Sequence, residues 1–126
     1  MKRSQNTSCS PTRLRNSFKN AFRGIGILVK HTPNARIHLT VALAVVLLAG
    51  LLRVSSLEWC ILLGCIVLVL ALEGINSALE QLADKVSSEF SPLIRNAKDL
   101  AAGAVLIASI GAALIGLTLL LPYLFS

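Results

Sequence analysis

The chain has 126 residues, of which 55% are hydrophobic and 14% are charged, with a formal net charge of +6 and a mean hydropathy of +0.75. The length suits one domain, and this composition leaves too little polar surface to cover a water-soluble core. It therefore excludes an ordinary soluble globular protein and predicts a membrane protein.

The N-terminal third begins with a polar stretch, residues 1–10, which we expect to be disordered. From 11 to 30, apolar residues then recur every three or four positions, with arginines and lysines between them. This pattern predicts an amphipathic helix lying on the cytoplasmic surface of the membrane. A helix packed against the rest of the bundle is the alternative. The apolar positions are Leu14, Phe18, Phe22, Ile25 and Val29.

Three long apolar stretches follow, and charged residues mark their ends. A helix needs about 20 residues to cross the hydrocarbon core of a bilayer. We therefore predict transmembrane helices near 36–53, 58–83 and 97–122. The link between the first two is so short that they must be antiparallel. The expected fold is an all-α membrane protein in which residues 11–126 form a single integral membrane domain.

The basic residues predict the orientation. Eight of the twelve lie within the first 36 positions, where there is no acidic residue. The positive-inside rule places this end in the cytoplasm, the link near 54–57 outside, and the loop before the third span inside. We do not expect nucleic-acid binding, because anionic lipid headgroups beside the first span already account for these charges.

A polar stripe runs along the end of the second span. At about 100° per residue, Glu73, Asn76, Glu80 and Asp84 lie within an arc of about 80° on one helix face. A carboxylate inside a membrane costs on the order of 3 kcal/mol, so such a stripe indicates function. If Trp59 marks the outer interface, Glu73 lies about 9 Å inside the inner boundary, and the last two carboxylates lie at that boundary.

This gradient in depth favours a site that contacts both lipid and water. A carboxylate just below the headgroups can reach a lipid hydroxyl, and carboxylates at the boundary can hold Mg²⁺ together with nucleotide phosphates. Lys98 and Asp99 open the third span at the same depth, where a lysine can neutralise phosphate charge. The sequence contains neither the P-loop motif G-x-x-x-x-G-K-[ST] nor the dinucleotide-binding motif G-x-G-x-x-G, so an ATP site here would be of a different kind.

Two other interpretations explain part of the pattern. A small proton-coupled transporter or channel component would use Glu73, but it leaves Lys98-Asp99 and the boundary carboxylates unexplained. A membrane scaffold would pair its carboxylates with Lys85, Arg95 or Lys98.

Several remaining features point to packing. Small residues at four-residue intervals in the third span let helices approach closely, either within one chain or between copies. His31 and His38 have no partner motif, and we interpret them as interface histidines. The small residues are Ala104, Ala108, Ala112 and Gly116.

The polar stripe and the start of the third span together resemble the prokaryotic diacylglycerol kinase family, which includes undecaprenol kinases. The resemblance covers about residues 13–122. It is carried by Glu73-Gly-Ile-Asn76-Ser77-Ala-Leu-Glu80-x-x-x-Asp84, by Pro92-Leu93, by Ala97-Lys98-Asp99-Leu-Ala-Ala-Gly103-Ala104-Val105-Leu106, and by the N-terminal segments Ser17-Phe18-Lys19, Ala21-Phe22-Arg23-Gly24 and Asn34-Ala35-Arg36-Ile37-His38.

The resemblance implies a homotrimeric kinase of the bacterial inner membrane. It would use ATP and Mg²⁺ to phosphorylate a lipid alcohol, either diacylglycerol or undecaprenol, at a site built between neighbouring subunits. Glu73 would be the general base and Glu80 a ligand of Mg²⁺. The residues expected around the nucleotide and its phosphates are Asn76, Glu80, Asp84, Lys98 and Asp99, with Glu89, Phe90 and Ser91 near the adenine.

The chain departs from the family pattern at two positions. The family often has a glutamate, a second metal ligand, four residues before the arginine that matches Arg36, but here that position is Thr32. Thr32 is therefore expected to bind Mg²⁺ weakly or through water, or else Glu80 is the only protein ligand. Asn20 replaces an aromatic residue that often contacts the nucleotide.

Overall fold

The computed structural model describes residues 10–86 and 89–126, and within them the chain is all α-helical. The helices are α1 (Pro11–His31), α2 (Pro33–Leu52), α3 (Ser56–Val86) and α4 (Pro92–Leu124). Three of them, α2, α3 and α4, are long and apolar enough to cross a membrane. The predicted fold class is therefore confirmed. Except for Ser10, the segment predicted to be disordered lies outside the described residues.

Prolines and short caps determine where the first two helices begin. The Ser10 hydroxyl accepts a hydrogen bond from the backbone N–H of Arg13 at 3.2 Å, and Pro11 occupies the first position of α1, as is typical of helix starts. Thr32 is extended because the ring of Pro33 disfavours a helical conformation before it. This single residue turns the chain from α1 into the first span.

A tight turn connects α2 to α3. The Arg53 N–H donates to the Gly50 carbonyl and the Val54 N–H to the Ala49 carbonyl, both at 3.3 Å, which is a Schellman ending. Arg53 adopts the left-handed conformation that this ending requires, with φ of 54°. The Ser55 hydroxyl then accepts from the Glu58 N–H at 3.2 Å and caps α3. The two spans are therefore antiparallel.

The spanning helices extend further than their apolar stretches predict. α3 continues to Val86 rather than ending near 83, and α4 begins at Pro92 rather than near 97. Pro92 starts α4, whereas hydrophobicity marks only the part of each helix suited to lipid. α3 and α4 consequently carry their charged residues beyond the apolar segment while remaining helical.

Packing within one chain is limited. α3 packs along α4 over more of its length than any other pair of described helices. A small core forms near the turn between α2 and α3 from Ala49, Val54, Leu62 and Leu120. Most large apolar side chains on the spans remain exposed, as expected for helices whose surroundings are lipid or other subunits. On α1, Phe18 and Phe22 are also exposed.

A polar contact joins the start of α3 to the end of α4. The Tyr123 hydroxyl donates a hydrogen bond to Glu58 Oε2 at 2.7 Å, and Trp59 and Tyr123 both pack against the small core. Tyrosine and tryptophan suit a membrane interface because one end of each side chain is apolar and the other is polar. The contact therefore ties the two longest helices together at one end.

We expect Tyr123→Phe to lower the thermal unfolding temperature in detergent by a few degrees, because it leaves the Glu58 carboxylate without this donor while keeping the aromatic ring. Thr118→Val is the matched control, since the Thr118 hydroxyl bonds only the Leu114 carbonyl of its own helix, at 2.7 Å. Equal unfolding temperatures for both variants and the parent chain would show that the contact contributes nothing to stability.

Candidate active site

The polar stripe of α3 passes from a buried to an exposed environment along the helix. Glu73 is 1% exposed and Asn76 is 5% exposed, although both lie on a helix that is otherwise mostly apolar. One and two turns further on, Glu80 and Asp84 are exposed, and the Asp84 side chain is 70% accessible. The site therefore has one fully buried carboxylate and two that water can reach.

Asn76 links the buried and exposed parts of the polar stripe. Its side-chain amide Nδ2 donates to Glu80 Oε1 at 3.4 Å, the contact expected for residues four apart on a helix. Its other polar atom, Oδ1, is buried and has no hydrogen-bond partner. Because a buried carbonyl oxygen without a partner costs free energy, this oxygen is available to a ligand.

One charge pair joins the start of α4 to the end of α3, and a second lies within α4. Lys98 Nζ lies 2.8 Å from Asp84 Oδ1, and Arg95 Nε lies 3.9 Å from Asp99 Oδ2 on the same helix. Lys98 and Asp84 lie on different helices, so their contact shows that the adjacent residues Lys98 and Asp99 meet the stripe at one end of the bundle. Both pairs are solvent-accessible, so they contribute little to stability.

The segment before α4 brings an aromatic ring next to these charges. Phe90 is exposed, and the Arg95 guanidinium lies over its ring at 6.0 Å from the centroid, within range of a cation–π contact. Ser91 precedes α4 but makes no capping hydrogen bond with its side chain, and Glu89 lies in the bend before Phe90. These residues flank the charged end of the bundle.

Thr32 lines a cavity of about 410 Å³ between α1 and α3, together with Ser77 and Gln81. Glu80 does not line this cavity. Within residues 10–86 and 89–126, no three His, Cys, Asp or Glu side chains converge in a way that could hold a metal.

His38 is a neighbour of the site that the sequence analysis missed. Its Nε2 lies 3.8 Å from Glu73 Oε2, an ion-pair distance, and its side chain is 24% exposed. The two residues are 35 positions apart on α2 and α3, so no local spacing relates them. Only the packing of those helices reveals the contact.

Comparison with known families agrees with this geometry. A sequence model described as prokaryotic diacylglycerol kinase matches residues 19–120 of the chain. The match spans α2, α3 and most of α4, and so includes the whole polar stripe and the Lys98-Asp99 pair.

Individual relatives carry two kinds of name. The chain is 40% identical to a diacylglycerol kinase of Synechocystis over 111 residues, which is 87% of this chain and 63% of that protein. It is 36% identical to the undecaprenol kinase of Bacillus subtilis over 108 residues, 86% of this chain and 88% of the relative. A diacylglycerol kinase of Escherichia coli is 38% identical over 68 residues, which cover 56% of its length.

Proposed function

Because the chain belongs to the prokaryotic diacylglycerol kinase family, we propose that it is a membrane lipid kinase. It transfers the γ-phosphoryl group of ATP to the hydroxyl of a membrane lipid. The observation that carries this function is the stripe on α3, which runs from the buried Glu73 to the exposed Asp84 beside Lys98. A reaction between a lipid alcohol and a water-soluble nucleotide requires such a site.

The acceptor is diacylglycerol or undecaprenol, the alcohols in the names of the relatives. Both present a primary hydroxyl near the headgroup plane, which is the depth inferred for Glu73. The aliphatic faces of the spans do not discriminate between them. The proposed location is the bacterial inner membrane, with the basic N-terminus and the charged ends of α3 and α4 in the cytoplasm, where ATP is present.

Glu73 is the proposed general base. As the acceptor oxygen forms its bond to the γ-phosphorus, Glu73 takes the hydroxyl proton, and the bond from the phosphorus to ADP breaks. Its burial supports this role, because water does not compete for the carboxylate. Lys98 stabilises the negative charge of the triphosphate, and Asp84 holds the lysine in place until the nucleotide arrives.

The other predicted residues surround the nucleotide. Asn76 and Asp99 lie close to the phosphates in this proposal, and Glu89, Phe90 and Ser91 lie close to the adenine. The exposed ring of Phe90 supports this assignment, because an aromatic face can stack on a base.

The donor atoms of the stripe fit Mg²⁺. Mg²⁺ commonly binds through one or two carboxylates plus substrate phosphates, and the exposed carboxylate of Glu80 accepts a hydrogen bond from the Asn76 amide, whose Oδ1 has no partner. Glu80 would therefore hold the ion, and Thr32 would contribute weakly if at all. When bound with ATP, the ion would neutralise charge on the phosphates.

Three copies are proposed to form the working enzyme. The small core and the many exposed apolar side chains support assembly, since one chain buries little of its own surface. A side chain added at Gly116 would meet no atom of another helix within 4 Å, so the small residues of α4 leave space beside that helix.

The proposed function predicts ATP consumption that depends on an added lipid alcohol. We expect Glu73→Gln to lower turnover at least about 100-fold, the contribution of a general base, while nucleotide binding and thermal unfolding stay close to those of the parent chain. The assay uses purified protein, ATP with Mg²⁺, and either diacylglycerol or undecaprenol. A proton-coupled transporter would consume no ATP with either lipid. Turnover of Glu73→Gln within a few-fold of the parent chain would show that Glu73 is not the general base.

The metal assignment predicts a separate effect at Glu80. We expect Glu80→Gln to raise the Mg²⁺ concentration for half-maximal activity at least about tenfold, because the donor set loses its negative charge. Thr32→Glu should lower that concentration or leave it unchanged, since it adds a carboxylate at the position where the family often has one. A Mg²⁺ titration that Glu80→Gln leaves unaltered would show that the metal binds elsewhere.

A further inference from the structure

Glu73 is the buried carboxylate of the stripe, and a basic side chain from another spanning helix lies beside it. Its Oε2 lies 3.8 Å from Nε2 of His38, which is on α2. An ionised carboxylate that is 1% exposed is costly to bury unless another group interacts with it. In the described part of the chain, His38 is its ion-pair partner, so the imidazole supplies that interaction.

The other basic side chains near this end of the bundle interact with other groups or are exposed to solvent. Arg36, on the same helix as His38, donates from Nη2 to the Lys30 carbonyl at 2.6 Å, and Lys98 on α4 pairs with Asp84. Lys30 and His31 end α1 and are exposed. α4 carries no charged residue after Asp99 and contributes Ser109 to the same region. Glu80 and Asp84 lie further along α3, toward water.

His38 also faces an apolar groove. It lines a cavity of about 500 Å³ between α2, α3 and α4, whose other walls are mostly aliphatic. Ser109 lines the same groove, and its hydroxyl oxygen is buried without a hydrogen-bond partner. The imidazole thus lies between the buried carboxylate and an apolar surface, where an acceptor with a hydrocarbon tail would approach Glu73.

We propose that His38 is a positioning residue for Glu73, and that its imidazole holds the carboxylate in the orientation needed to receive the acceptor's proton. The proposal rests on the lipid kinase function. At 3.8 Å the two side chains are in polar contact but too far apart for a direct hydrogen bond, so replacing the imidazole changes the electrostatic surroundings of the proposed base.

The test compares His38→Gln with His31→Gln, which alters the only other histidine, an exposed one. We expect His38→Gln to lower kcat by about 100-fold, the typical cost of a misplaced reacting group, with the KM for ATP within a few-fold of the parent. Its pH–rate profile between pH 5 and 8 should also change shape. His31→Gln should match the parent in all three measurements. A kcat within twofold and a superimposable profile for His38→Gln would overturn the proposal.

A structural role for His38 would give a different result. If His38 only supported packing, kcat would fall but the shape of the pH–rate profile would stay the same, and that outcome also overturns the proposal. A parent chain that consumes no ATP with either lipid would instead refute the proposed kinase function.

A second measurement examines the contact without reference to activity. In the ¹⁵N-histidine-labelled chain, we expect Glu73→Gln to alter the pH dependence of the His38 ring signals and to leave those of His31 unchanged. Identical His38 titrations in the parent and in Glu73→Gln would show that the two groups do not interact. This measurement also decides the matter if His38→Gln does not fold.

Discussion

The Glu73 carboxylate is kept almost entirely out of water on a helix that is apolar enough to cross a membrane. Hydrocarbon cannot solvate such a charge, so a carboxylate in this position must interact with another group or serve a reaction. The fold provides a neighbour, His38, from the adjacent span. It also keeps the carboxylates suited to nucleotides and Mg²⁺, Glu80 and Asp84, about two and three turns away, where water reaches them. A single helix therefore spans the boundary between the two substrates of the proposed reaction.

The two ends of the bundle keep α3 in place in different ways. At the end that holds the turn between α2 and α3, the Schellman ending of α2 and the bond from Tyr123 to Glu58 tie three helices together around a small apolar core. At the other end, the accessible pair of Lys98 and Asp84 joins α4 to α3. In the proposed reaction, a pair that water screens can open when phosphate binds Lys98. The small apolar core lies at the opposite end of the bundle, away from the groups proposed to bind phosphate.

Much of this could be predicted from the sequence because the signals are local. Long uncharged stretches predict the spans, and the spacing of Glu73, Asn76, Glu80 and Asp84 predicts a shared helix face. The extents of α3 and α4 were underestimated, since hydrophobicity reports the lipid-embedded part and not the cap that ends a helix.

Contacts between helices could not be predicted in this way. His38 had no partner motif, because its partner lies on another helix, and the bond between Glu58 and Tyr123 joins residues 65 positions apart. The sequence suggested Lys98 as one of three basic partners for the carboxylates and placed it at their depth, but it did not identify Asp84 as the partner. Each of these contacts depends on how two helices are rotated against each other, which no single segment encodes.

The proposed reaction requires Asp84 and Lys98 to face the compartment that contains ATP. The decisive measurement is therefore the side of the membrane on which the charged ends of α3 and α4 lie. In a chain whose three native cysteines are replaced, a cysteine is introduced at Asn96, near Lys98, or at Ser56, at the start of α3. Asn96→Cys should react with a membrane-impermeant thiol reagent only after the inner face of the membrane is opened, and Ser56→Cys should react in intact cells. Labelling of Asn96→Cys from outside intact cells would place the charged end of the site away from ATP and contradict the account.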